Sequence, residues 1–83
     1  MYKVSNLKIP IRYRHLTEAI INSMPVKLLE LENGCLVTRM FSNLEEFLKS
    51  NNPENFIGPF SDRLGEKDCF RFESLEAARY LSN

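Results

Sequence analysis

Asn33-Gly34 sits between two apolar runs, Leu28-Leu29-Glu30-Leu31 and Cys35-Leu36-Val37. No other feature of the chain narrows its fold as far. Both central residues of a type I′ turn need positive φ, which Gly adopts freely and Asn tolerates. A two-residue loop of this kind joins antiparallel strands and fixes their register. Glu32 then faces Cys35, Leu31 faces Leu36, Leu29 faces Thr38 and Lys27 faces Met40. Successive strand residues point to opposite faces. One face therefore holds Leu29, Leu31, Leu36 and Met40, and it is the expected core. The other holds Val26, Leu28, Val37 and Phe41 with Glu30, Glu32 and Arg39. Its mixed character predicts either a covering helix or a partner.

Helical spacing brackets this hairpin. Thr17 to Met24 reads as a helix, capped by Thr17, with Leu16, Ala19, Ile20 and Met24 as its buried stripe. Pro25 ends it. Ser42-Asn43-Leu44-Glu45 has the S-x-x-E form of a capping box. After it, Leu44, Phe47 and Leu48 form a buried stripe that stops near Asn51-Asn52-Pro53. Residues 52–60 read as irregular around an apolar tip, Phe56-Ile57-Gly58-Pro59-Phe60, with room for a short strand at 55–58. Asp62 to Phe72 reads as a second hairpin turning at residues 64–68. Ser74 then caps a last helix whose expected core contacts are Leu75, Ala78 and Leu81, with Tyr80 beside them.

The N-terminal segment reads as a strand. Leu7, Ile9, Ile11 and Tyr13 alternate with Lys8, Pro10, Arg12 and Arg14, a period of two. Pro10 cannot donate to a ladder, which predicts a sheet edge with a basic outer face. That strand is expected to pair within the chain or across a homodimer. The expected fold is α+β: a small antiparallel sheet of four to five strands with three short helices, ordered βα-ββα-ββα. Phe41-Ser42-Asn43-Leu44-Glu45 aligns with Phe72-Glu73-Ser74-Leu75-Glu76. That is a weak ββα repeat over 26–51 and 54–83, within one domain spanning 1–83. A strand-to-helix junction needs a plug, a cap and an apolar first turn in any case.

Composition limits the function classes. The chain has 83 residues, 43% of them apolar, with 11 basic and 11 acidic side chains. That suits a globular domain rather than a disordered one. No apolar run approaches the roughly 20 residues of a membrane span. Residues following Lys3 lack the apolar core of a signal peptide, so the expected location is the cytoplasm, with no membrane partner. Cys35 and Cys69 read as two separate buried thiols, too few for a disulfide scaffold.

Chemistry-bearing patterns are sparse. His15 is the only histidine, and no nucleophile or carboxylate stands near it in a catalytic spacing; it reads as a surface residue. Neither cysteine precedes a helix start that would lower its pKa. With one His and two widely separated Cys there is no zinc clamp. Glu45 with Glu46 reads as capping and solvated charge, and Glu30 with Glu32 as partners of Arg39. Gly34, Gly58 and Gly65 are isolated and build no phosphate loop. No catalytic residue, metal or cofactor is assigned.

Charge is the informative quantity. Residues 1–17 carry four of the 11 basic side chains and none of the 11 acidic ones, so a neutral chain divides into +4 and −4. Tyr2 and Tyr13 interleave these cations. The resulting expectation is a non-enzymatic interaction or regulatory protein that binds another macromolecule. A phage or mobile-element inhibitor of a host protein would be of this kind. Its partner-binding residues are Lys8, Arg12, Tyr13 and Arg14, with Phe56, Ile57 and Phe60 as aromatic or aliphatic anchors on a loop. Fold-back of that loop onto the core is the competing role. The alternative function is RNA or single-stranded nucleic-acid binding, with cations on phosphates and tyrosines on bases.

Overall fold

The computed structural model describes residues 4–83 and shows an α+β chain with a four-stranded mixed sheet and three α-helices. The strands are β1 (Val26–Glu32), β2 (Cys35–Phe41), β3 (Ile57–Leu64) and β4 (Lys67–Glu73). The helices are α1 (Glu18–Ser23), α2 (Leu44–Ser50) and α3 (Leu75–Ser82). Three 3₁₀ turns, Val4–Asn6, Ile11–Tyr13 and Pro53–Asn55, complete the order.

The first hairpin has the register that its turn dictates. Asn33 has φ 52° and Gly34 φ 79°, and Glu32 pairs with Cys35, Leu31 with Leu36, Leu29 with Thr38 and Lys27 with Met40. The second hairpin also turns on two residues, Gly65-Glu66, with Leu64 opposite Lys67. Its outgoing strand begins at Ile57, not Asp62, so residues 57–60 of the expected tip belong to β3, a longer strand than the short one expected at 55–58.

The sheet order is β2-β1-β4-β3, and the inner pair is parallel: Val26 lies opposite Phe70 and Leu28 opposite Phe72. An entirely antiparallel sheet is thus corrected to a mixed one. The reason is α2, which carries the chain back past β2 so that β3 starts in the direction of β2. β4 then runs with β1.

Paired residues share a face, and the core lies on the face of Val26, Leu28, Phe70 and Phe72, all of them buried. That reverses the expected core face. Phe47 of α2 stacks on Phe72 at 4.4 Å and meets Phe41 edge-on at 5.2 Å. Such aromatic pairs add about 0.5–1.5 kcal/mol each beyond the area they bury. Ile21, Met24, Leu44 and Leu48 close the same core. The opposite face, with Leu29, Leu31, Leu36 and Met40, is only partly covered. Leu81 of α3 shares a cleft with Leu29 and Thr38, while Met40 remains 47% exposed.

Three local assignments shift. The α2 cap is Asn43, whose side chain accepts from the Glu46 N–H at 2.7 Å, one residue beyond the expected Ser42. In α1, capped by Thr17 as expected, Ile21 is buried and Ile20 is exposed, so the stripe is rotated by one position. In α3, capped by Ser74, the buried residue is Ala77, and Leu75, Tyr80 and Leu81 are about half exposed. Cys69 is buried, whereas Cys35 is exposed rather than buried.

The N-terminal strand is absent among the described residues. Pro10 precedes a 3₁₀ turn in which the Tyr13 N–H donates to the Pro10 carbonyl at 2.9 Å. Ile9 and Tyr13 are buried, but Ile11 between them is 80% exposed. A spacing of four satisfies both an alternating strand and a helical turn, and only Ile11 separates the two readings. Tyr2 and Lys3 lie outside the described residues.

Candidate interaction surface

The basic segment is pinned from beneath. Tyr13 buries its ring edge-on against Phe70, with centroids 5.4 Å apart, and its hydroxyl shares a 3.0 Å hydrogen bond with Ser61 Oγ on β3. Arg14 Nε donates to the Ile9 carbonyl at 3.1 Å, folding the segment on itself. The Arg12 guanidinium lies 5.7 Å from the Tyr13 ring centroid. This anchoring leaves Lys8, Ile11, Arg12, Arg14 and His15 exposed. A cavity of about 400 Å³ separates the segment from α1, with Leu7, Ile9, Leu16 and Ile21 as apolar walls and Lys8 and Arg14 among its lining.

These cations differ from most of those in the rest of the chain, where Lys67 and Arg79 alone among the described residues also lack a carboxylate within ion-pair distance. Lys27, Arg39, Lys49, Arg63 and Arg71 each lie within 4.0 Å of a carboxylate. Among the described residues, Lys8, Arg12 and Arg14 form no such pair with an acidic side chain. Glu18 lines the same recess as Lys8 and Arg14 but lies beyond ion-pair distance of both, so the three cations face solvent without a direct carboxylate partner.

Phe56, Ile57 and Phe60 do not converge with them as one exposed tip. Phe56 packs on Phe47 at 6.0 Å. Phe60 lies half-buried under the Arg71 guanidinium at 4.9 Å. Ile57 is 38% exposed. Pro59 is buried.

Sequence reasoning did not find the second polar constellation, on the partly covered sheet face. Arg71 Nη1 holds Asp62 Oδ2 at 3.1 Å, and its Nε holds Glu73 Oε2 at 2.8 Å. Lys27 Nζ lies 3.8 Å from Asp62 and donates to the Arg63 carbonyl. Only Arg71 and Glu73, two apart on one strand face, are legible locally; Lys27 and Asp62 arrive through β1 and β3. Burial alone would raise the Asp62 pKa. Hydrogen bonds from the Arg63 N–H and Arg71, with the charges of Lys27 and Arg71, outweigh it and lower the value below 3.8. Burial acts against the Arg71 charge too, but its bonds to Asp62 and Glu73 raise its pKa. Burial pushes up the nearby Cys69 thiol, which disfavours a nucleophilic thiolate. Two cations and two carboxylates cancel here, so the network binds β1, β3 and β4 to one another and presents no surplus charge.

Among the described residues no group of three or more His, Cys, Asp or Glu is placed to hold a metal ion, and no helix is long and apolar enough to cross a membrane. No protein-family model, curated protein or solved structure matches this chain.

Proposed function

We propose that the protein is a non-enzymatic binding domain that docks on an acidic surface of another protein. The observation that supports this reading is the exposed trio Lys8, Arg12 and Arg14, with no carboxylate in ion-pair distance and flanking the exposed Ile11 in sequence. An exposed aliphatic side chain on a segment rich in cations suits a protein patch that offers an apolar pocket with carboxylates at its rim. The aliphatic group supplies the desolvated centre, and the arginines supply steering and orientation. The adjoining apolar cavity adds a recess beside the same cations. Inhibition or regulation of that partner would follow from the docking itself.

Nucleic-acid binding is the second reading, and the same cations favour it. Burial of Tyr13 weighs against it, because an edge-on ring under the segment offers no face for a base. The two readings part in a direct comparison. The full chain, Ile11→Ala and the triple variant Lys8→Ala/Arg12→Ala/Arg14→Ala are each immobilised in native lysate, and labelled single-stranded DNA and RNA are titrated in parallel. Stoichiometric capture of a protein that both variants lose is the expected result. Oligonucleotide binding that falls steeply with salt and is unaffected by Ile11→Ala would overturn it.

A further inference from the structure

The two outer strands of the sheet are built differently. β3 interrupts its pairing between Ile57 and Phe60, contains Pro59, which has no N–H, and carries Asp62 and Arg63. Prolines, bulges and charges are the devices that keep a sheet edge from pairing with another chain. β2 has none of the first two. It runs seven residues, Cys35–Phe41, with unbroken register against β1 and a single charged residue, Arg39. Arg39 is already compensated within the chain by Glu30 at 3.1 Å and Glu32 at 3.2 Å.

We infer that β2 is a homodimerisation edge, pairing antiparallel with β2 of a second copy about a twofold axis at Thr38. The register follows from the hairpin. A two-residue loop is flanked by a pair that exchanges both ladder bonds, and such pairs recur at every second residue. Cys35, Val37, Arg39 and Phe41 thus direct their N–H and C=O groups to β1. Leu36, Thr38 and Met40 direct theirs outward. Centring the axis on Thr38 sets Thr38 against its own copy and Leu36 against Met40 of the second chain, so every outward group of these three residues finds a partner. A centre at Leu36 or Met40 would leave some of them unpaired.

Side chains support the same centre. Leu36, Thr38 and Met40 lie on the partly covered face, because their β1 partners are Leu31, Leu29 and Lys27. The twofold places apolar Leu36 and Met40 against each other and threonine against threonine, both favourable cross-strand pairs. It also covers Met40, one of the more exposed large apolar side chains. No uncompensated like charges meet, since each Arg39 keeps its own two glutamates. A partner strand of other sequence would need to supply this same apolar-Thr-apolar pattern; a second copy supplies it by symmetry. A seven-residue edge is small beside the roughly 1,200–2,000 Å² of a stable interface. The association is therefore reversible and concentration-dependent. The axis stands perpendicular to the sheet, so both basic N-terminal surfaces emerge on one face at opposite ends of an eight-stranded sheet.

Sedimentation velocity over a concentration series, from micromolar to millimolar, tests the inference on the full chain. A reversible monomer–dimer equilibrium is expected. Thr38→Pro removes one outward N–H without touching the β1 ladder, and Leu36→Lys/Met40→Lys sets like charges across the axis. At least one of them should retain the wild-type circular dichroism and sediment as a monomer. In a Cys35→Ser background, Thr38→Cys should form an intermolecular disulfide on mild oxidation. The expected Cα separation of about 5.5 Å at a hydrogen-bonded pair lies within disulfide range. Leu36→Cys in that background should cross-link far less. A wild-type chain that stays monomeric at millimolar concentration overturns the inference. So does a dimer that persists in the folded variants, or one that cross-links equally through both positions.

Discussion

The Tyr13 hydroxyl and Ser61 Oγ lie 3.0 Å apart across 48 residues of sequence. This bond ties the N-terminal 3₁₀ turn to β3, and the ring beneath it rests on Phe70. Tyr13→Phe keeps the ring and removes the bond. It should cost about 0.5–1.5 kcal/mol in urea unfolding. Combined with Ser61→Ala, the loss should be smaller than the sum of the single effects, because the two residues share one interaction.

Asp62 sets an acid-side dependence. Its carboxyl has a folded-state pKa lowered from 3.8. A carboxyl depressed on folding contributes stability that is present above its unfolded value and lost as pH falls through its folded value. Asp62→Asn should therefore flatten the decline in the urea midpoint as pH falls below about 4. At neutral pH the same variant should cost about 1–3 kcal/mol, since Arg71 loses a charged acceptor.

The two thiols should separate cleanly in a labelling experiment. Cys35 is exposed, and Cys69 is buried with its pKa raised. An aromatic disulfide reagent at neutral pH should titrate one thiol in the native protein and the second only after denaturant is added. Rapid reaction of both in the native state would contradict the packing of β4 against its neighbours.

Two glycines with positive φ should respond unequally to alanine. A Cβ at Gly34, φ +79°, meets nothing within 4 Å, so Gly34→Ala should cost only the left-handed backbone term, about 1–2 kcal/mol. A Cβ at Gly58, φ +139°, would lie 2.7 Å from the Arg71 carbonyl oxygen and 3.2 Å from the Phe72 ring. The backbone oxygen cannot yield as a flexible side chain would. Gly58→Ala should cost about 3 kcal/mol or more, measured as a larger fall in urea midpoint than at Gly34.

What sequence reveals here depends on how far its causes reach. The Asn33-Gly34 turn carries its φ preference in two adjacent residues, and the whole register of β1 with β2 follows. The caps at Thr17 and Ser74 and the stripe of α2 are equally local. The choice of core face is not. Leu29, Leu31, Leu36 and Met40 form the more uniformly apolar set. Phe70 and Phe72 decide against them by aligning with Val26 and Leu28, and α2 brings Phe47 onto the same side. Nothing within either hairpin states which of its strands will meet the other. The N-terminal basic residues are legible from charge alone, and Lys8, Arg12 and Arg14 are exposed. Ile11, 80% exposed, reads as inward because its neighbours at two-residue spacing, Ile9 and Tyr13, are buried. The ionic network was missed because Lys27, Asp62 and Arg71 come from three strands.

The parallel junction of β1 with β4 has a consequence for synthesis on the ribosome. Val26 and Leu28 have no sheet neighbour on their inner side until Phe70 and Phe72 have emerged. The first hairpin and α2 can take local shape earlier, but the aromatic stack of Phe47 on Phe72 cannot. A nascent chain halted in the second hairpin would thus leave Val26 and Leu28 without their sheet neighbours and Phe47 without the Phe72 ring. The sheet and its aromatic core are therefore completed together, when the last strand arrives.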